Sequence, residues 1–194
     1  MALTESYMLP LGTKAPDFKL INTANNKYES RDQLKGEKGT LIIFMCNHCP
    51  YVVHLLDAIV SYAKELNTIG ISTIAISSNS VDSHPQDGPE EMKQLSDKMQ
   101  FDFPYLFDET QGVAHAYQAA CTPDFYLFDH ELKLYYRGRF DASRPSNGIA
   151  ISGEDLRNAS RTLLSNAPLE GMQYPSMGCN IKWKPGNEPN ESVI

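Results

Sequence analysis

The sequence lacks three features that would each indicate a particular class of protein. It has no run of basic residues, and its 17 basic and 24 acidic residues give a formal net charge of −7. We therefore expect neither a nucleic acid nor an anionic membrane as a partner. The longest apolar run, LIIFMC at 41–46, is far shorter than a membrane-spanning helix. The first residues lack the basic start and apolar centre of a signal peptide, so we expect a cytoplasmic location.

Cysteine is also scarce, since 194 residues include only Cys46, Cys49, Cys121 and Cys179. Four cysteines are too few for a disulfide scaffold in a chain of this length. In a reducing compartment, a close cysteine pair indicates catalysis or metal binding instead. Hydrophobic residues make up 41% of the chain, which excludes a mostly disordered protein.

The order of apolar patterns predicts an α/β fold. Continuous apolar runs at 39–45 and 71–78 are typical of strands buried on both faces. Apolar side chains at three- and four-residue spacing over 55–66 predict an amphipathic helix. The other predicted elements are a hairpin at 17–21 and 26–30, a helix at 89–99, a short strand at 103–108, a short helix at 112–118, an antiparallel strand pair at 124–129 and 133–140, and a helix at 153–165. This order predicts a central mixed sheet with helices on both faces.

The two ends of the chain carry weaker patterns. We expect residues 1–8 to form a loose end. One domain is predicted over 1–165, followed by a C-terminal tail over 166–194 that packs on the same domain. The tail is rich in Pro, Gly and Asn, so it is expected to be irregular, with one anchor in MGCNIKW at 177–183.

The pentapeptide CNHCP at 46–50 lies between the first buried strand and the amphipathic helix. We expect Cys46 at or just before the helix N-terminus, where unpaired N–H groups and the helix dipole favour a thiolate. A thiolate is the nucleophile in disulfide exchange, and a protonated His48 would stabilise it further. Pro50 fits the first helical turn, where its missing N–H costs nothing.

Two other interpretations of the cysteine pair remain open. A structural zinc site needs four ligands, so Cys121, Cys179 and His48 would have to converge on the single CxxC motif. Alternatively, the cysteines could be inert, because cysteine is often buried as a small apolar residue.

Several motifs together resemble the thioredoxin-fold superfamily. They are FMCNHCP at 44–50 after a buried strand and CTPDFYLFD at 121–129. The opening LGTKAPDFKL at 11–20, the Cys49-Pro50 pair and GCNIKWK in the tail are similar to the peroxiredoxin-like group that carries a thioredoxin-type CxxC. The resemblance covers about residues 9 to 165 and implies a thioredoxin-like fold with an N-terminal hairpin extension. It also implies that Thr122-Pro123 form a cis-proline loop against the CxxC, with the backbone of Thr122 available to an incoming peptide.

The departures from the peroxiredoxin pattern bear on the activity. Cys46 stands where the peroxiredoxin threonine belongs, and the peroxiredoxin arginine is absent, since its position falls near Pro123. Both residues help to hold and polarise a peroxide in that family. The resemblance therefore favours disulfide exchange over fast peroxide reduction.

We thus predict a thiol–disulfide oxidoreductase in which Cys46 attacks a substrate disulfide and Cys49 resolves the mixed disulfide. The supporting residues are Asn47, His48, Thr122 and Pro123, and the candidate additional redox residues are Cys121 and Cys179. The alternatives are a thiol peroxidase with Cys49 as the peroxidatic cysteine, and a non-catalytic metal-binding or redox-sensing module. Expected partners are a protein or small-molecule disulfide or a peroxide, and a thiol reductant or oxidant. No cofactor and no metal site are predicted, and the oligomeric state is left open.

Overall fold

The computed structural model describes residues 3–189 and contains a mixed sheet of seven strands and a smaller sheet of three. In chain order, the strands are β1 (Leu3–Glu5), β2 (Lys19–Asn22), β3 (Lys27–Ser30), β4 (Gly39–Phe44), β5 (Ile71–Ser77), β6 (Tyr105–Phe107), β7 (Cys121–Thr122), β8 (Asp124–Asp129), β9 (Leu134–Gly138) and β10 (Met177–Asn180). The helices are α1 (Arg31–Leu34), α2 (Pro50–Thr68), α3 (Pro89–Met99), α4 (Gly112–Ala116) and α5 (Glu154–Leu164), with a 3₁₀ turn over Pro85–Asp87.

The large sheet has the strand order β3-β2-β6-β5-β4-β8-β9. Strand β5 pairs parallel with β4 and β6, whereas β4 with β8, β8 with β9 and β2 with β3 are antiparallel. Strand β4 lies inside the sheet, between β5 and β8, and is buried along its whole length, as its continuous apolar run indicates. The predicted central mixed sheet, including the N-terminal hairpin, is therefore confirmed.

Helices cover both faces of the sheet. On one face, Leu41 and Ile43 of β4 belong to a core that also contains the apolar sides of α2, α3 and α5. On the other face, Ile42 and Phe44 pack in a second core with side chains from α4. The stripe predicted on the first long helix is buried in α2 through Leu55, Leu56, Ile59, Val60, Ala63 and Leu66. Its burial contributes roughly 1.5–3 kcal/mol for each large aliphatic side chain.

The smaller sheet corrects the expectation for the two ends of the chain. Its order is β1-β10-β7, with both pairs antiparallel. The prediction that residues 1–8 form a loose end is wrong for Leu3–Glu5, which form β1, while residues 1 and 2 lie outside the described part. The tail is irregular apart from β10, and its residues 190–194 also lie outside the described part. These strands are two to four residues long, which is too short to show a hydrophobic period in the sequence. They form because segments that are distant in the chain pair with each other.

The register of the large sheet determines where the site forms. Phe44 at the end of β4 lies opposite Asp124 at the start of β8. The segments next to these two residues, 45–50 and 121–123, are therefore brought side by side at one edge of the sheet. Among residues 3–189, the longest helices remain too short or too polar to cross a bilayer.

Candidate active site

The two cysteines of the CxxC motif lie between β4 and α2. Helix α2 begins at Pro50, and Cys49 is its N-cap residue. Cys46 lies further back, two residues after the end of β4. Both are buried, with exposed fractions of 1% for Cys46 and 0% for Cys49. The expectation that Cys46 adjoins the helix N-terminus is therefore wrong, because Pro50 starts the helix and leaves that place to Cys49.

Thr122 contacts both sulfur atoms of the pair. The Cys49 Sγ lies 3.1 Å from the Thr122 carbonyl oxygen, and the Cys46 Sγ lies 3.6 Å from the Thr122 Oγ1. The peptide bond between Thr122 and Pro123 is cis. The cis-proline loop thus lies directly against the CxxC motif, and the two cysteines also form a hydrogen bond with each other.

The hydrogen bond between the sulfurs links the titration of the two thiols. It lowers the pKa of Cys49 to about 4, against the effect of burial and with help from Thr122 and Cys179. It raises the pKa of Cys46, which burial and the negative charge of Asp87 raise further. The helix N-terminus at Cys49 acts in the same direction on that sulfur.

One contact opposes this assignment, since the Thr122 carbonyl oxygen can bond only to a protonated Cys49. The Cys49 sulfur, however, has hydrogen bonds available from both Cys46 and Cys179 when it is deprotonated. The deprotonated form therefore has more partners. These interactions lower the pKa of Cys49 and raise the pKa of Cys46, the reverse of the order expected from the sequence.

His48 is paired with a buried carboxylate that sequence reasoning did not identify. Its Nδ1 lies 2.6 Å from the Asp87 Oδ2 and 3.9 Å from the Cys46 Sγ. Asp87 is fully buried, and its Oδ1 accepts hydrogen bonds from the backbone N–H groups of Asn47 and His48 at 2.8 and 3.3 Å. Its Oδ2 also accepts a hydrogen bond from Asn79 Nδ2 at 2.8 Å. Asp87 therefore fixes the backbone between the two cysteines.

The side chain of Asn47 holds the same segment through two further hydrogen bonds. Its Nδ2 donates to the carbonyl oxygen of Gln86 at 2.9 Å, and its Oδ1 accepts from the Tyr105 hydroxyl at 3.1 Å. Both residues between the cysteines are thus held by the 3₁₀ turn and its neighbours. No local signal in HPQDGP points to this role, because an Asp between Gln and Gly looks like an ordinary turn residue.

Replacing Asp87 with Asn should weaken the fold and make Cys46 easier to deprotonate. The amide cannot accept the hydrogen bond from Asn79 with the nitrogen that replaces Oδ2, so we expect a loss of about 2 kcal/mol in the free energy of unfolding. The pKa of Cys46 should fall, because the charge of Asp87 raises it. Denaturant unfolding and the pH dependence of alkylation at Cys46 measure the two effects.

The control for this substitution is Asp82→Asn in the same loop. Asp82 is exposed, so its substitution should change stability by less than about 0.5 kcal/mol and leave the alkylation of Cys46 unchanged. If Asp87→Asn behaved like this control, Asp87 would not hold the cysteine segment.

The other two cysteines lie close by but in different environments. The Cys121 Sγ lies 3.9 Å from the carbonyl oxygen of Pro123, and burial raises the pKa of Cys121 well above its ordinary value. Cys179 lies opposite Thr122 in the pairing of β10 with β7 and is hydrogen-bonded to Cys49. The backbone of Thr122 at the cis-proline loop thus faces the chain's own tail strand.

Three side chains of the site could hold a metal ion. A ligand atom of each of Cys46, His48 and Asp87 lies within 4.8 Å of the other two. A thiolate, an imidazole nitrogen and a carboxylate are ligands that zinc accepts, with a fourth position left open. Within residues 3–189, Cys121 and Cys179 do not join this cluster.

The chain is similar to a known protein family and to several solved structures. Residues 11–137 match the model of the AhpC/TSA family. An uncharacterized conserved protein from Geobacillus kaustophilus is 47% identical, with a TM-score of 0.94 over 96% of this chain and 98% of that chain. A hypothetical protein from Sinorhizobium meliloti is 39% identical, with a TM-score of 0.92 over 94% and 100%.

A more distant similarity concerns the fold alone. The thioredoxin domain of a thiol-disulfide oxidoreductase from Bacteroides vulgatus is 18% identical, with a TM-score of 0.62 over 80% of this chain and 99% of that chain. This similarity confirms the predicted thioredoxin-like fold. Comparison with curated proteins gave no match.

Proposed function

Because the chain belongs to the AhpC/TSA family, as its motifs indicated, we propose that it is a thiol–disulfide oxidoreductase whose Cys46 and Cys49 alternate between a dithiol and a disulfide. The observation that carries this proposal is that the sulfurs of Cys46 and Cys49 both contact Thr122 of the cis-proline loop, at 3.6 Å from its Oγ1 and 3.1 Å from its carbonyl oxygen. Two cysteines of one CxxC motif that meet at the same residue can form a disulfide if their Cα atoms lie within about 7 Å. A redox pair in a thioredoxin-like fold is consistent with an oxidoreductase of this family.

Cys46 is the sulfur that exchanges with substrate. Cys49 is covered by the Thr122 carbonyl group and by Cys179, whereas Cys46 adjoins the partly exposed Asn47 and His48. A substrate thiolate attacks the Cys46 sulfur of the disulfide, the Cys46–Cys49 bond breaks, and Cys49 leaves as a thiolate. The lowered pKa of Cys49 makes it a good leaving group.

The second half of the exchange releases the oxidised substrate. A second substrate thiolate attacks the substrate sulfur of the mixed disulfide, and Cys46 leaves and takes up one proton. The substrate has then lost two electrons, and the protein holds a thiol on Cys46 and a thiolate on Cys49. In the reverse direction, Cys46 attacks a substrate disulfide and its proton goes to the departing substrate thiolate. The Cys49 thiolate then attacks the Cys46 sulfur and displaces the second substrate sulfur as a thiolate.

The supporting residues act through the position and charge of the sulfurs. The Thr122 hydroxyl lies close enough to donate a hydrogen bond to Cys46 when that sulfur becomes negative. Pro123 keeps the loop against the CxxC motif, and Asn47 and His48 connect the motif to Asp87. We further propose that the partners are a disulfide or dithiol, as protein or small molecule, and a thiol reductant or oxidant, in the cytoplasm, without nucleic acid or membrane.

Reduction of insulin disulfides by dithiothreitol tests this function. We expect Cys46→Ser and Cys49→Ser each to lower the rate to that of the protein-free reaction, since each removes one half of the disulfide. The Cys49→Ser variant should also accumulate a mixed disulfide on Cys46 that mass spectrometry detects, because its resolving thiol is gone. Cys121→Ala is the matched control and should retain activity, since its sulfur points to the Pro123 carbonyl oxygen.

The same variants distinguish a thiol peroxidase. If Cys46→Ser consumed hydrogen peroxide as fast as the unchanged protein and Cys49→Ser did not, Cys49 would be a peroxidatic cysteine and the proposal of disulfide exchange would fail. Full insulin reduction by Cys46→Ser would also contradict the proposal of disulfide exchange.

A further inference from the structure

The tail strand β10 brings a third sulfur to the redox pair. In the antiparallel pairing of β10 with β7, Cys179 lies opposite Thr122 and Asn180 lies opposite Cys121. Thr122 is also the residue whose carbonyl oxygen lies 3.1 Å from the Cys49 Sγ. The register of β10 therefore places Cys179 at the covered side of Cys49.

The contact between Cys179 and Cys49 is direct. Both the side chain and the backbone of Cys179 form hydrogen bonds with the Cys49 sulfur. Cys179 has an exposed fraction of 4% and belongs to the same apolar core as Cys46 and Cys49. On its other edge, β10 is covered by β1, in which Leu3 lies opposite Cys179. Cys49 thus has two sulfur partners, Cys46 and Cys179.

We propose that Cys179 is a third redox residue, which forms a disulfide with Cys49 by exchange with the Cys46–Cys49 disulfide. This inference rests on the proposed function, because that function supplies the Cys46–Cys49 disulfide. The Cys179 thiolate attacks the Cys49 sulfur, a Cys49–Cys179 bond forms, and the Cys46–Cys49 bond breaks. Cys46 leaves with the electron pair and takes up the proton that Cys179 lost, so the exchange needs no further oxidant or reductant.

The exchange would move the disulfide away from the sulfur that meets substrate. Cys46, the sulfur that meets substrate, becomes a thiol again while the disulfide stays in the chain at β10. Burial raises the pKa of Cys179 to about 12 in the reduced protein, so little of its thiolate is present at neutral pH and the exchange should be slow.

Oxidation of the Cys46→Ser variant with diamide tests the contact, because this variant lacks the competing CxxC disulfide. Peptide mapping by mass spectrometry should find a Cys49–Cys179 disulfide. The double variant with Cys121→Ala should give the same product, since Cys121 is the matched buried cysteine. The double variant with Cys179→Ala should give no intramolecular disulfide at Cys49. A Cys49–Cys121 disulfide, or none, in Cys46→Ser would overturn the inference.

A second experiment uses the unchanged protein, in which all four cysteines are present. After stoichiometric oxidation and an acid quench, we expect both the Cys46–Cys49 and the Cys49–Cys179 disulfides in the unchanged protein. Only the first should form in Cys179→Ala, with circular dichroism as the check that this variant is folded. If Cys46–Cys49 forms and exchanges while Cys49–Cys179 is absent, only the role of Cys179 fails. If Cys46–Cys49 does not form, the proposed function fails as well.

Discussion

The Cys46–Cys49 disulfide is expected to have a reduction potential less negative than about −220 mV, compared with about −270 mV for thioredoxin. The reason is the stabilised thiolate of the reduced pair, since the pKa of Cys49 is lowered from 9.0 to about 4. An interaction that stabilises only the reduced form favours reduction of the disulfide and makes the pair a stronger oxidant. Equilibration of the protein with glutathione buffers, followed by quantification of both redox forms, measures this potential. A value at or below that of thioredoxin would contradict the thiolate assignment.

The pH dependence of this potential is a sharper check of the same assignment. Between about pH 5 and pH 8, Cys49 stays deprotonated after reduction, while Cys46, whose pKa is raised, takes up one proton. Reduction then consumes two electrons and one proton, so the potential should fall by about 30 mV for each pH unit. A pair in which both thiols are protonated would show a fall of about 59 mV for each unit.

Two variants of Cys46, Cys46→Ser and Cys46→Ala, test the cause of the low pKa of Cys49. The largest contribution to the low pKa of Cys49 is the hydrogen bond from Cys46. A serine hydroxyl still donates a hydrogen bond there, whereas Cys46→Ala removes the donor. The pKa of Cys49 should therefore rise more in Cys46→Ala than in Cys46→Ser, as the ultraviolet absorbance of the thiolate would measure. Equal values in the two variants would assign the low pKa to the helix N-terminus and Cys179 instead.

The sequence predicts the elements of the large sheet well, because their signals are local. The run at 39–45 and the stripe over 55–66 each specify one element through a period or a continuous apolar segment. The fold class follows from the order of these elements. Strands β1, β7 and β10 are different, since each is too short to carry a period and is stabilised by a partner far away in the chain.

In the candidate site, too, local motifs identify some residues and only the fold identifies the others. Cys46, Cys49, Thr122 and Pro123 could be selected from the sequence because two short motifs carry them. Their proximity depends on the register of β4 with β8, which the antiparallel pairing supplies. Asp87 could not be selected, since its role comes from its position beneath the backbone of Asn47 and His48. The sequence placed the helix start too early and so assigned the helix N-terminus to Cys46 instead of Cys49, and such boundaries are the least reliable part of a helix signal.

Replacing Gly178 with Ala should separate β10 from β7 and change the redox site. A Cβ atom at Gly178 would lie 2.0 Å from the carbonyl oxygen and 2.8 Å from the carbonyl carbon of Thr122. These are backbone atoms of the cis-proline loop, so the strand must shift to accommodate the methyl group. We expect the free energy of unfolding to fall by about 3 kcal/mol, at the upper end of the cost of overpacking. Denaturant unfolding measures this loss.

The same substitution should raise the pKa of Cys49. A shift of β10 moves Cys179 away, and the hydrogen bonds of Cys179 to Cys49 are among the interactions that lower this pKa. Gly112→Ala is the matched control, because the nearest atom to its Cβ is the flexible Thr110 Oγ1 at 3.3 Å and the residue begins α4. It should change stability by no more than about 1 kcal/mol, in the favourable direction, since Ala has the higher helix propensity. Equal losses in both variants would mean that the close approach of β10 to Thr122 does not hold Cys179 beside Cys49.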